Sequence, residues 1–173
     1  MRRWVLVAAA VAVASCGGRS APSAPDPTGN VPLHLVSGFY TLTLDLDDST
    51  SGASLVCSPP ISVKRATIPV VLQRGEADVT VQPQMLDSSL RLRLVVSGDD
   101  RLISGTMLGS ATSEEGVSVE VFGSSMRDPA LISGQAGATS VQGMIIGQLM
   151  IAGASCTSTG HNWQLAPRTA ARE

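Results

Sequence analysis

The sequence predicts an all-β domain over residues 31–166, an antiparallel up-and-down barrel of about eight strands. Apolar residues recur with period two rather than 3.6, turn-forming clusters interrupt the chain at short intervals, and no stretch of the domain carries a helical apolar stripe. Alternation of this kind describes strands with one wet face, the antiparallel pattern. Several such strands at short spacing make a sandwich or a barrel.

The first strand is "YTLTLDLD", with Tyr40, Leu42, Leu44 and Leu46 on one face and Thr41, Thr43, Asp45 and Asp47 on the other. "KRATIPVVLQ" is extended in composition, and Pro69 within it marks an edge or a bulge because proline brings no N–H to a ladder. "ADVTV" follows. In "LRLRL", Leu90, Leu92 and Leu94 oppose Arg91 and Arg93, and in "VSVEV", Val117, Val119 and Val121 oppose Ser118 and Glu120. The turns are "DDSTSG", "QRGEAD", "SGDD", "SEEG" and "SSMRDP". "LISG" occurs at 102–105 and again at 131–134, as independent uses of a Gly-terminated strand.

The run "SVQGMIIGQLMIAG", residues 140–153, contains a G-x-x-x-G spacing, which in an apolar stretch of about 20 residues would suggest paired membrane helices. It is too short for that and holds Gln142 and Gln148. With period two, Val141, Gly143, Ile145, Gly147, Leu149 and Ile151 share a face, so the segment reads as a curved barrel strand. "HNWQL", with Trp163, is the last strand. An open sheet would leave two edges free to aggregate. Closure predicts pairing of residues 39–46 with 161–166, Leu42 and Leu44 facing inward, and Tyr40 close to Trp163 at one end.

Before the domain, Arg2 and Arg3 precede the apolar run Trp4 to Ala14, about half of the roughly 20 residues that a membrane-spanning helix needs. A positive start, a short apolar middle and a small-residue end describe a secretory signal over residues 1–15. Ala12-Val13-Ala14 offers an ordinary cleavage pattern. Val13-Ala14-Ser15-Cys16 resembles a bacterial lipobox, which implies that Cys16 becomes the lipid-modified first residue. One acyl chain anchors marginally and two or more anchor firmly, so that modification would hold the protein on a membrane. Gly17 rather than Asp after the cysteine implies, by the same resemblance, the outer membrane of a Gram-negative envelope. Residues 16–30, rich in Pro, Gly, Ser and Thr, read as a flexible linker, and 167–173 as a loose tail.

Gly38-Phe39-Tyr40 in the first strand and Trp163 in the last resemble the opening and closing strands of lipocalin-like barrels. Tyr40 stands where that family has tryptophan. The wider pattern, including the repeated "ISG", is similar to a group of uncharacterised exported bacterial lipoproteins, and that resemblance implies no assigned reaction.

The chain has three cysteines. With Cys16 lipidated, Cys57 and Cys156 are left to form one disulfide in an oxidising compartment. A zinc site would need four ligands at recognisable spacing, and the domain offers only these two cysteines with His34 and His161, which lie far apart in the chain. Twelve basic residues against 14 acidic ones, more acidic still after loss of Arg2 and Arg3, argue against nucleic acid as a partner.

No G-x-S-x-G elbow is present. Asp45, Asp47, Asp48 and Ser49 resemble part of a calcium loop, but Thr50 and Val56 stand where an EF-hand needs Gly and Glu. Glu114 and Glu115 read as a solvated turn, and the aromatics Phe39, Tyr40, Phe122 and Trp163 as core. No metal, cofactor or enzymatic activity is therefore expected. Two functions are: a barrel that is a structural module or holds a small apolar ligand among Leu42, Leu44, Val119 and Ile145, or a β-sandwich adhesion or assembly module meeting another envelope protein through its outer faces. A buried, strongly perturbed carboxylate, or His161 in a cleft, would point instead to a hydrolase.

Overall fold

The computed structural model describes residues 33–47, 55–76, 78–98 and 101–168. The expected signal peptide, Cys16, the linker and most of the tail lie outside the described residues. Ten strands follow in chain order: β1 (Gly38–Asp45), β2 (Leu55–Ser58), β3 (Arg65–Arg74), β4 (Asp78–Pro83), β5 (Arg91–Val96), β6 (Leu102–Thr112), β7 (Ser118–Phe122), β8 (Ala130–Ala136), β9 (Val141–Ile151) and β10 (Ala154–Pro167). No helix occurs among the described residues.

The strands close into an antiparallel barrel with eight positions around the ring. Two positions are composite. Between β6 and β9, β7 covers one end of each strand and β8 the other. Beside β10, β1 pairs with its C-terminal half and β2 with its N-terminal half. The remaining neighbours run β1–β3–β4–β5–β6, and β9 pairs β10 along nearly its whole length. The first strand meets the last, with Leu42 opposite Leu165 and Leu44 opposite Trp163. No edge runs the length of the sheet, which is the physical gain of closure.

Alternation does the rest. Inward residues of every strand join one contiguous apolar core, while the outer wall is mostly Thr, Ser, Gln and charged residues. That is the inverse of barrels that cross a membrane with strands, whose apolar band faces outward. Leu35 plugs one end: Leu33 N–H donates to Gly137 O (2.7 Å) and Arg74 Nη1 donates to Leu35 O (2.9 Å), drawing the entering chain across the opening.

Two expectations are corrected. Trp163 lies opposite Leu44, whereas Tyr40 lies opposite Pro167, so the aromatics are offset by four residues, about 13 Å of strand, rather than side by side. The register follows from the indole, which needs the space above two glycines described below. Phe39 is 63% exposed and not part of the core, because its neighbour Tyr40 faces inward and successive strand residues face opposite ways. Pro69 sits just past the last β3–β4 pair, Val70 with Pro83, where no ladder N–H is required of it on that side.

The two "LISG" segments pair with each other. Ser104 lies opposite Ser133, Ile103 opposite Gly134 and Ile132 opposite Gly105, so each large residue faces a missing side chain.

Candidate functional site

Inside the barrel, Leu42, Leu44, Val119 and Ile145 are all fully buried and belong to the same packed cluster. The sequence placed their faces correctly, but none of them borders the concavities described below. Trp163 fills the space between the walls. It lies opposite Gly143, which lies opposite Gly134, and its indole N–H donates to the carbonyls of Ser133 (3.2 Å) and Met144 (3.3 Å). Tyr40 fills another part of the core, its hydroxyl donating to Val36 O at 3.0 Å.

Other candidates are dispersed. Cys57 and Cys156 face each other across β2 and β10 and are disulfide-bonded. His161 is fully buried within β10, where a bulge at Gly160 turns both Ser158 and His161 inward. The Ser158 hydroxyl donates to Ile145 O (2.6 Å) and accepts from His161 N–H (2.8 Å). His34 is exposed at the chain entry. Asp47 pairs with Lys64 at 3.5 Å, while Asp48 and Ser49 lie outside the described residues. Among the described residues, no group of three His, Cys, Asp or Glu gathers that could hold a metal.

Glu115 is engaged structurally. Partial burial pushes its carboxyl up, but hydrogen bonds from the Thr67 side chain and N–H and from Ser113 outweigh this and hold it at about 2, down from 4.5. Thr67 N–H donates to Glu115 Oε2 (2.9 Å) and Glu114 N–H donates to Thr67 O (2.7 Å). The β6–β7 turn thus satisfies the edge of β3 that β4 is too short to cover.

The distinctive surface is on the outside. Residues 129–167 contain no Asp, Glu, Lys or Arg, and neither does β6. These segments build β6, β8, β9 and β10, so in the half of the barrel where β8 fills the place between β6 and β9 the run becomes one charge-free wall, bounded at the other half by Glu120 of β7. Gln135, Gln142 and Gln164 form a row across three strands, with Gln135 opposite Gln142 and Gln142 opposite Gln164. Leu131 and Ile146 face each other four residues away, beyond the Ser133–Met144 pair, 60% and 53% exposed, with Met144 and Leu102 also exposed. Beside them lies an open groove of about 730 Å³ bordered by Leu102, Ser133, Gln135, Gln142 and Met144. Across the Gln142–Met144 ridge, a second concavity of about 340 Å³ is bordered by Thr43, Asn162 and Gln164 and ends at Asp45 and Arg65.

Reading for periodicity does not find this wall, since a polar residue at each outward position satisfies the strand pattern whether or not it is charged. The signal that marks it is the long interval without charge, which gains meaning only when its strands lie side by side. Comparison with family profiles, curated proteins and solved structures finds no match for this chain.

Proposed function

We propose that this chain is an envelope lipoprotein, anchored through lipid on Cys16, whose barrel serves as a non-catalytic contact module rather than as a carrier. The observation that carries the reading is the contrast between an interior filled by its own Trp163, Tyr40 and aliphatic side chains and an outer wall that is charge-free yet apolar in part. A carrier keeps an apolar chamber; a contact module keeps an apolar surface. The Val13-Ala14-Ser15-Cys16 motif supports the anchor, Gly17 supports the outer membrane, and the Cys57–Cys156 bond supports an oxidising compartment. Pairing of the first strand with the last supports the likeness to lipocalin-like barrels.

Two measurements test this. Cys16→Ser should release the protein from the membrane fraction or leave an unprocessed precursor; unchanged partition and mass would remove the anchor. Titration with a fluorescent fatty acid should show no saturable uptake. Stoichiometric uptake, abolished by enlarging a residue at the Leu42 or Ile145 position, would restore the carrier reading.

A further inference from the structure

We propose that the charge-free wall of β6, β8, β9 and β10 is a two-fold docking surface for a second copy of this chain. The inference rests on the contact-module reading and names the partner. In a two-fold interface the same patch meets itself, so the patch must be self-complementary. A surface of one charge sign fails that condition through like-charge repulsion. This wall meets it. The amides of Gln135 and Gln142 carry both donors and an acceptor, and Gln164, which already donates to Ser140 Oγ at 2.9 Å, adds its carbonyl, so the row can pair with a copy of itself. The ridge of Leu131, Ile146 and Met144 lies beside the groove of about 730 Å³, so the ridge of one copy faces the groove of the other.

Charge elsewhere directs copies to this side. The chain is acidic overall, and the rest of the ring carries Asp45, Arg65, Asp78, Arg91 and Arg93, the last two on β5 beside β6, so the approach that buries least charge is centred on β8 and β9. A bilayer is the less suitable occupant, because surfaces that lie on membranes present Lys, Arg and aromatic residues, and this wall presents none. Four strands at about 4.8 Å make a wall about 19 Å wide. Along the six residues over which β8 pairs with each neighbour it is about 20 Å long, below the roughly 800 Å² per partner of a standard interface and suited to a weak one. Because the barrel curves away from a partner, association is expected in the micromolar range rather than as an obligate dimer. Anchoring of copies on one membrane, as proposed above, raises their effective concentration.

The test uses the whole chain carrying Cys16→Ser, so that lipid does not confound the mass. Sedimentation velocity across the micromolar range should show a monomer–dimer equilibrium. Ile146→Glu and Leu131→Glu should each weaken it at least about tenfold, since each places an unpaired charge in the contact. Gln82→Glu, on β4 across the ring, should leave it unchanged. Both apolar positions are exposed in the monomer, and matching thermal melts will confirm that the variants fold. As an independent reading, oxidised Ser133→Cys should run as a covalent dimer and Thr80→Cys as a monomer. A monomer at every concentration, a dimer indifferent to Ile146→Glu, or monomeric binding to neutral phosphatidylcholine vesicles abolished by Ile146→Glu would each overturn the proposal. The fatty-acid titration reads the interior alone. A monomer that takes up no fatty acid ends this inference and leaves the contact-module reading standing.

Discussion

Trp163 is the largest of the fully buried side chains, and the residues around it show how one indole sets a register. A Cβ on Gly143 would overlap the Ser133 carbonyl, and one on Gly134 would stand 3.1 Å from the indole and 2.8 Å from Gln142 O. The two glycines therefore let β8 and β9 approach each other under the ring, and the two freed carbonyls receive its N–H. Trp163→Ala should lower the unfolding free energy by roughly 3–5 kcal/mol, the range for emptying a large buried aromatic site. Gly143→Ala should cost on the order of 1–3 kcal/mol through overpacking against backbone that cannot rotate away. Urea denaturation followed by circular dichroism reads both, since fluorescence loses the core tryptophan in the first variant. A loss under about 1 kcal/mol for Trp163→Ala would mean that the indole is not a keystone of the core.

At the scale of the element, β4 stops at Pro83 while β3 begins at Arg65, so the first turn of β3 has an unpaired flank. The β6–β7 turn fills it with the backbone of Glu114 and the carboxylate of Glu115. Arg168 adds an ion pair to Glu114 at 3.1 Å, half-exposed and therefore of small value. Glu115 has a folded pKa of about 2 against an ordinary 4.5, so its charged form is favoured by folding. Its stabilisation is fully present above pH 4.5 and is lost as pH falls toward about 2. The difference in melting temperature between the parent and Glu115→Gln should be constant near neutrality, shrink below pH 4.5 and vanish near pH 2. A difference that persists undiminished at the acid end would show that the carboxylate charge is not what holds the turn. The effect should be modest, because the side chain is exposed.

For the molecule as a whole, the Cys57–Cys156 bond spans a sequence separation of 99 and joins β2 to β10, inside the same strand set that closes the ring. In the chain-entropy account, a loop of about 100 residues is worth up to about 4.7 kcal/mol through restriction of the unfolded chain. Replacing both cysteines by serine should lower stability by an amount of that order, and non-reducing digestion should yield one linked peptide pair containing Cys57 and Cys156. Two free thiols in protein isolated from its native compartment would remove the bond from the functional state. The bond and the β1–β10 ladder act on the same closure, so their contributions should not add independently.

The sequence by itself determined which residues face inward. Successive strand side chains point to opposite faces as a consequence of backbone geometry, so Leu42, Leu44, Val119 and Ile145 could be oriented from alternation alone. Closure was legible too, from the cost of open edges and from two cysteines at opposite ends of the domain. The composite strand positions were not, because whether β7 and β8 share one place in the ring depends on their partners in β6 and β9, and short-range pattern carries no partner. Nor was the filled interior legible: an inward Leu lines a chamber or a core according to volumes contributed from across the barrel, here Trp163 above two glycines. The tertiary structure also made the charge-free wall. Absence of charge along a chain becomes a surface only when hydrogen bonding sets those strands side by side, and that pairing is a long-range property that no local pattern encodes.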